Sequence, residues 1–115
     1  MVFLSQNFYY FSVSKAYTML LYVYILFSEK LNKYYIGTTD DIERRIEEHN
    51  NIKYTESFTS RGIPWKLAFN IICQSSRQAY KIENHIKAMH SKKYIQNLIL
   101  YPEISEKLLN KYKDI

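Results

Sequence analysis

One cysteine, two glycines and two prolines are all that this 115-residue chain contains of the residues that staple or break a backbone. The lone thiol, Cys73, excludes an intrachain disulfide and any zinc site built from several cysteines. It lies in the apolar run "AFNIIC" and reads as a core thiol rather than a nucleophile. Long apolar runs are missing too. "MLLYVYILF" (19–27) is nine residues long, against the roughly 20 that span a bilayer. It has neither a basic start nor a small-residue cleavage site, so a buried strand accounts for it better than a secretion signal. The expected setting is cytoplasmic, with no membrane partner. Acidic residues are scarce in the second half. Residues 61–115 carry 10 basic and 4 acidic side chains, whereas residues 1–60 carry 6 and 7. The net charge of +5 suits a polyanionic partner, although many soluble domains are this basic without one.

What is present points to compact structure. Twelve tyrosines, set among so few breakers, argue against disorder and favour strands. The length predicts one domain with a modest core. We expect its body over residues 19–99, with residues 1–18 as an N-terminal appendage (an extra strand or a disordered arm) and residues 100–115 as a C-terminal helix packed on it.

"LLYVYILF" (20–27) is apolar at every position, as in a central strand covered on both faces. After the polar turn "SEKLNK", "YYIG" (34–37) completes a hairpin, closed by Gly37. Asp40 and Glu43 stand in capping-box spacing, which predicts a helix to about Asn50. A polar loop over 51–62 and Pro64 lead into a third strand, "WKLAFNIIC". Ser76 then caps a helix from about Arg77 to His90, with Ala79, Ile82, Ile86 and Met89 as its apolar stripe. A short helical stretch around "IQNLIL" follows, and then a last helix opened by Pro102 and lined by Ile104, Leu108 and Tyr112. The order ββαβααα predicts an α+β fold with a small three-stranded antiparallel sheet flanked by helices.

Both main helices put polar groups on their apolar faces. Arg45 and His49 lie beside Ile42 and Ile46, while Glu83 lies beside Ile82 and Ile86. Glu43, Arg44, Glu47 and Glu48 on the first helix, and Lys81 and Lys87 on the second, read as solvent-facing charges. Burying an unpaired charge costs several kcal/mol, so the inward residues must be paired or line a cleft. One reading is a structural Arg45–Glu83 ion pair between helices. The other is a site in which Glu83 holds a metal while Arg45 and His49 hold phosphate. Tyr24 and Tyr35 lie on the paired strands, where strand pairing puts them on one face.

Together these residues resemble the GIY-YIG nuclease family, specifically its small single-domain members. The first motif corresponds to Tyr22-Val23-Tyr24 and the second to Tyr35-Ile36-Gly37. The family's arginine, followed four residues later by histidine or tyrosine, matches Arg45 and His49 in "ERRIEEHN". Its glutamate helix matches Ala79, Glu83, Ile86 and Lys87 in "AYKIENHIK", and "FTSRGIPWKL" is similar to the loop and third strand of the small members. The first motif lacks the family's glycine and isoleucine. Larger relatives of the excinuclease type close the site with an asparagine, and Asn97 does not match that residue in spacing.

The resemblance implies metal-dependent hydrolysis of DNA phosphodiesters, with Glu83 holding Mg²⁺ or Mn²⁺ and Arg45 stabilising phosphoryl oxygens. Tyr24 would be the general base, its phenolate favoured by a neighbouring cation, with Tyr35 and His49 positioning water or phosphate or sharing in proton transfer. Many members attach a separate DNA-binding domain. This length leaves no room for one, so the expected preference is for DNA structure (branched, single-stranded or duplex) rather than sequence. Lys53, Arg61, Lys66, Lys92 and Lys93 are candidate phosphate contacts, and binding through them should weaken with salt. Trp65 reads as core rather than as a base-stacking platform. A catalytically inactive nucleic-acid-binding module of the same fold is the alternative. A subunit recruited by a protein partner through residues 1–18 is a third reading.

Overall fold

A strand with no polar face belongs in the middle of a sheet, and β1 (Leu21–Ser28) occupies that place. The computed structural model describes residues 20–51 and 57–114. The expected appendage, residues 1–18, and Lys53 lie outside them. β1 pairs antiparallel with β2 (Lys33–Thr39) on one side and β3 (Trp65–Cys73) on the other, giving the order β2-β1-β3. The helices are α1 (Ile42–His49), the single turn α2 (Ser57–Ser60), α3 (Ser76–Met89), α4 (Lys92–Leu100) and α5 (Pro102–Lys111). The fold is α+β, with a three-stranded antiparallel sheet flanked by helices. Among the described residues no helix is long and apolar enough to cross a membrane.

Strand alternation sends Val23 and Ile25 to one face and Tyr24 and Leu26 to the other. The first pair joins Ile71 and Cys73 of β3 and packs against Ala79, Ile82 and Ile86 of α3, with Ile95, Leu98 and Leu108 from the last two helices. Each valine, isoleucine or leucine among them contributes roughly 1.5–3 kcal/mol by burial. Gln78 is buried in this layer with its polar atoms satisfied. Its amide donates to the Leu109 carbonyl at 3.0 Å and its oxygen accepts from the Gln74 N–H at 2.7 Å. On the other face, Tyr24, Leu26 and Trp65 form a smaller core that Tyr35, Ile42, Ile46 and Ile63 partly cover.

Trp65 is 2% exposed and its indole N–H donates to the Thr59 carbonyl at 2.7 Å, so it is core and presents no ring to a base. The Asn50 side chain joins α1 to β3, accepting from the Trp65 N–H at 2.6 Å and donating to its carbonyl at 3.0 Å. That clamp fixes α1 against the Tyr24 face.

Several local expectations shift. Gly37 lies inside β2 rather than closing it, because pairing with β1 continues to Thr39. The loop over 51–62 contains the helical turn α2. Asp41, not Asp40, caps α1, its carboxylate accepting from the Arg44 N–H at 3.0 Å. The Thr39 hydroxyl sets this up by accepting from the Asp41 N–H at 3.1 Å. Asp40 instead pairs with the Arg44 side chain in solvent. Ser75 rather than Ser76 caps α3, and Met89, at the frayed end of the stripe, is 44% exposed.

The cap assignment separates two adjacent aspartates. In urea unfolding, Asp41→Ala should cost about 1 kcal/mol, the usual loss of an N-cap. Asp40→Ala should cost less than about 0.5 kcal/mol, since an exposed ion pair contributes little. Equal costs would reject the assignment.

Candidate active site

Gly37 sits directly opposite Tyr24 in the antiparallel register. A side chain there is impossible without movement, since a Cβ would lie 2.6 Å from the Tyr24 hydroxyl oxygen and 2.7 Å from its ring. The tyrosine ring therefore lies across the backbone of β2. Tyr35, two residues back along β2, stacks on it with ring centroids 6.3 Å apart. The strand pair thus puts both tyrosines on one face, the face that α1 covers.

The last turns of α1 bring Arg45 and His49 to the Tyr24 hydroxyl. His49 Nε2 lies 3.0 Å from that oxygen, and the Arg45 Nε–H donates to it at 3.4 Å. Arg45 Nη2 also faces His49 Nε2, at 3.4 Å. With a guanidinium on that side, Nε2 acts as acceptor. Tyr24 therefore donates to it, and the hydrogen-bond pattern assigns the imidazole proton to Nδ1. Tyr35 holds the ring in place edge-on, 4.4 Å between centroids. The four residues form one contiguous cluster, in which Tyr24 is 1% and His49 4% exposed. Arg45 reaches solvent, its side chain one-third exposed, and Tyr35 is half-buried.

Burial and neighbouring charge set the protonation states. His49 is lowered from 6.5 to about 4, first by burial and then by the Arg45 charge, so it is neutral at neutral pH. Tyr24 is raised above its ordinary value of 10.0. Burial dominates, and although Arg45 favours the phenolate, Tyr35 and Glu83 oppose it. The neighbouring cation favours the phenolate as expected, but desolvation outweighs the guanidinium. Burial also works against the Arg45 charge, but hydrogen bonds to Tyr24 and Glu48 more than offset it and keep the guanidinium firmly protonated.

Glu83 comes from α3 on the other side of the sheet, 8% exposed. Its Oε1 accepts from the Thr38 hydroxyl and its Oε2 pairs with Lys87 Nζ, both at 2.5 Å. Glu83 reaches Tyr24 through its charge rather than by direct contact. The Arg45–Glu83 ion pair does not form. Arg45 Nη1 pairs instead with Glu48 Oε1 at 2.7 Å, one turn along its own helix. Each helix neutralises its inward charge locally. Glu48 and Lys87, read from sequence as solvent-facing charges, are therefore members of the site. Their spacings from Arg45 (i, i+3) and Glu83 (i, i+4) are the signal that finds them. Thr38 carries no such signal, because only the strand register turns it toward α3.

Among the described residues, no three His, Cys, Asp or Glu side chains gather to hold a metal. A lone carboxylate with hard oxygen donors fits Mg²⁺ or Mn²⁺ that keeps most of its waters, and here Thr38 holds Glu83 Oε1 and Lys87 holds Oε2. Of the candidate phosphate contacts, Arg61, Lys66, Lys92 and Lys93 are all exposed. Lys66 pairs loosely with Glu29 at 3.9 Å, and Lys92 and Lys93 open α4. The structure brings none of the four into contact with the Tyr24 cluster. A shallow depression lined by Ile46, Glu47, Asn50, Asn51 and Ile63 runs along α1 and contains no member of the cluster.

Residues 20–96 match the family described as the GIY-YIG catalytic domain. The chain is 37% identical over 83 residues to a UPF0213 protein of Syntrophus aciditrophicus (strain SB), covering 71% of this chain and 93% of that protein. It is 31% identical over 94 residues to an uncharacterized protein of Acanthamoeba polyphaga mimivirus, covering 79% of this chain and 57% of that one. No solved structure matches it significantly.

The cluster yields two tests. His49 titrates at 6.5 unfolded and about 4 folded, so the unfolded state binds more protons between those values. Its contribution is complete above 6.5 and is lost as pH falls toward 4. Between pH ~7 and ~4.5, wild type should lose about 2 kcal/mol more than His49→Gln in urea unfolding. An equal loss would remove His49 as the cause. Gly37→Ala should displace the Tyr24 ring and cost about 1–3 kcal/mol. The Tyr24 hydroxyl proton, slowed in exchange by its bond to His49, should then exchange faster in NMR.

Proposed function

The chain belongs to the GIY-YIG family, and from that premise we propose that it is a divalent-metal-dependent endonuclease that hydrolyses DNA phosphodiesters and selects DNA by structure rather than sequence. The family makes it a nuclease-type domain acting on nucleic acid. Metal dependence, catalytic competence and DNA preference are our reading. The observation that carries it is the cluster of Tyr24, Tyr35, Arg45 and His49, in which a guanidinium one-third open to solvent stands beside the Tyr24 hydroxyl.

Each side chain has a role at a stated atom. The partly exposed Arg45 guanidinium meets the phosphoryl oxygens and stabilises charge that builds there. Tyr24 accepts a proton from the attacking water at its hydroxyl oxygen while passing its own to neutral His49 Nε2, and His49 gives a proton back to solvent before the next turnover. The relay replaces a buried phenolate, which burial disfavours, by an imidazolium that burial and the Arg45 charge also disfavour, so His49 holds the proton only in passing. The water oxygen forms the new bond to phosphorus, and the bond to the leaving oxygen breaks. That oxygen takes a proton from solvent. Tyr35 and Glu48 orient His49 and Arg45. A Mg²⁺ or Mn²⁺ ion held by Glu83 would supply stabilisation of the leaving oxygen's charge.

One observation favours the second reading, an inactive nucleic-acid-binding module of the same fold. Tyr24 is 1% exposed and its hydroxyl has partners on both sides, as in an ordinary core tyrosine. Cleavage of flaps, junctions, single strands and plasmid with Mg²⁺ or Mn²⁺ decides between them. The nuclease reading expects cutting that falls at least about 100-fold in Glu83→Gln, Tyr24→Phe and Arg45→Ala. Arg44→Ala, on the solvent face, should fall less than about twofold. DNA binding without cleavage, equal in wild type and Glu83→Gln, would establish the inactive module instead.

A further inference from the structure

Lys87 is the cation that Glu83 holds. Its Nζ sits on Glu83 Oε2, its side chain is half exposed, and the carboxylate side chain is only 11% exposed. The ammonium therefore reaches in from solvent to neutralise a nearly buried charge. Among the described residues no other cation pairs with Glu83, since Arg45 is occupied by Glu48. An exposed Glu–Lys pair at this spacing merely supports a helix. Here one partner is buried, and the pair neutralises it.

We propose that Lys87 is a phosphate-contacting residue of this site, held on Glu83 until a divalent cation displaces it. The inference rests on the reading of Glu83 as the metal ligand. An ammonium and a divalent ion cannot share one carboxylate oxygen, because their like charges repel at contact distance. A divalent ion bound to Glu83 would carry twice the charge of the ammonium and would take its place on the carboxylate. Lys87 then keeps its backbone position one turn from Glu83, and its flexible stem leaves the ammonium beside whatever anion the metal holds. A phosphodiester oxygen is that anion, and an ammonium donates strong hydrogen bonds to it. Thr38 stays on Glu83 Oε1 throughout and keeps the carboxylate aimed. Lys87 thus serves as counter-ion to Glu83 before the metal binds and as ligand to the substrate afterwards.

The exchange couples metal and DNA binding through one side chain, and both can be read without turnover. Mn²⁺ binding by calorimetry and single-stranded oligonucleotide binding by fluorescence anisotropy are compared for wild type, Lys87→Met, Lys87→Gln and Lys87→Arg. Lys87→Gln keeps a hydrogen-bond donor for Glu83 and guards against loss of the fold, and exposed Lys81 supplies the control Lys81→Met. Lys87→Met and Lys87→Gln should bind Mn²⁺ about tenfold tighter than wild type. At saturating Mn²⁺ they should bind the oligonucleotide about tenfold more weakly, yet match wild type without metal. Lys87→Arg should restore most of the metal-dependent affinity, and Lys81→Met should change neither. An equal loss of DNA affinity with and without Mn²⁺ would make Lys87 an ordinary surface contact. No loss in either condition would make it a helix pair alone. Either result overturns the inference while leaving Glu83 as metal ligand. If wild type binds no Mn²⁺ that Glu83→Gln abolishes, the metal reading falls and takes the inference with it.

Discussion

The pleat of β1 is the constraint on which both the core and the site depend. Alternate residues of one central strand serve different layers. Val23 and Ile25 anchor the larger apolar core under α3, while Tyr24 projects to the face that α1 covers. A shift of one residue would exchange these roles, put a phenol into the apolar core and leave His49 without its partner. Register is pinned on both sides, by the close approach of Tyr24 to Gly37 and by the Ser28–Trp65 end of the β3 pairing. The Ser28 hydroxyl adds a hydrogen bond to the Gly62 carbonyl at 2.6 Å, tying the strand end to the loop before β3.

Much of this was legible because periodicity is a property of the chain itself. The unbroken apolar run of β1 marked a central strand, and Arg45, His49 and Glu83 stood out because they interrupted helical stripes. The spacing of Tyr24 and Tyr35 implied a shared face once a hairpin was assumed. The choice of partners was not legible. Arg45 could have met Glu83 or Glu48, and pattern cannot rank a neighbour on the same helix against one across the sheet. Asp40 was the expected cap, and the Thr39 hydroxyl, accepting from the Asp41 N–H, gives that place to Asp41. The function of Gly37 was hidden because it is a statement about the space above it, and its motif position alone did not say that Tyr24 fills that space.

Electrostatics were the least legible part. A cation beside a tyrosine lowers its pKa, and Arg45 does act in that direction, yet the burial that brings the two together has the larger opposite effect. The same burial keeps His49 neutral, with Nε2 as the acceptor of the Tyr24 hydrogen bond. A site designed around a free phenolate would need a wetter cleft. This one holds the hydroxyl on the neutral imidazole, 3.0 Å from His49 Nε2.

The local ion pairs have a consequence for how the chain folds. Arg45–Glu48 and Lys87–Glu83 each span a single helical turn, so they form as soon as their helices do. Pairing between the helices would have left two naked charges at the sheet until the last docking event, a barrier that rises with the sequence separation of the partners. With neutralisation complete inside each helix, α1 and α3 can dock in either order, and neither waits for the other to become electrically acceptable to the sheet.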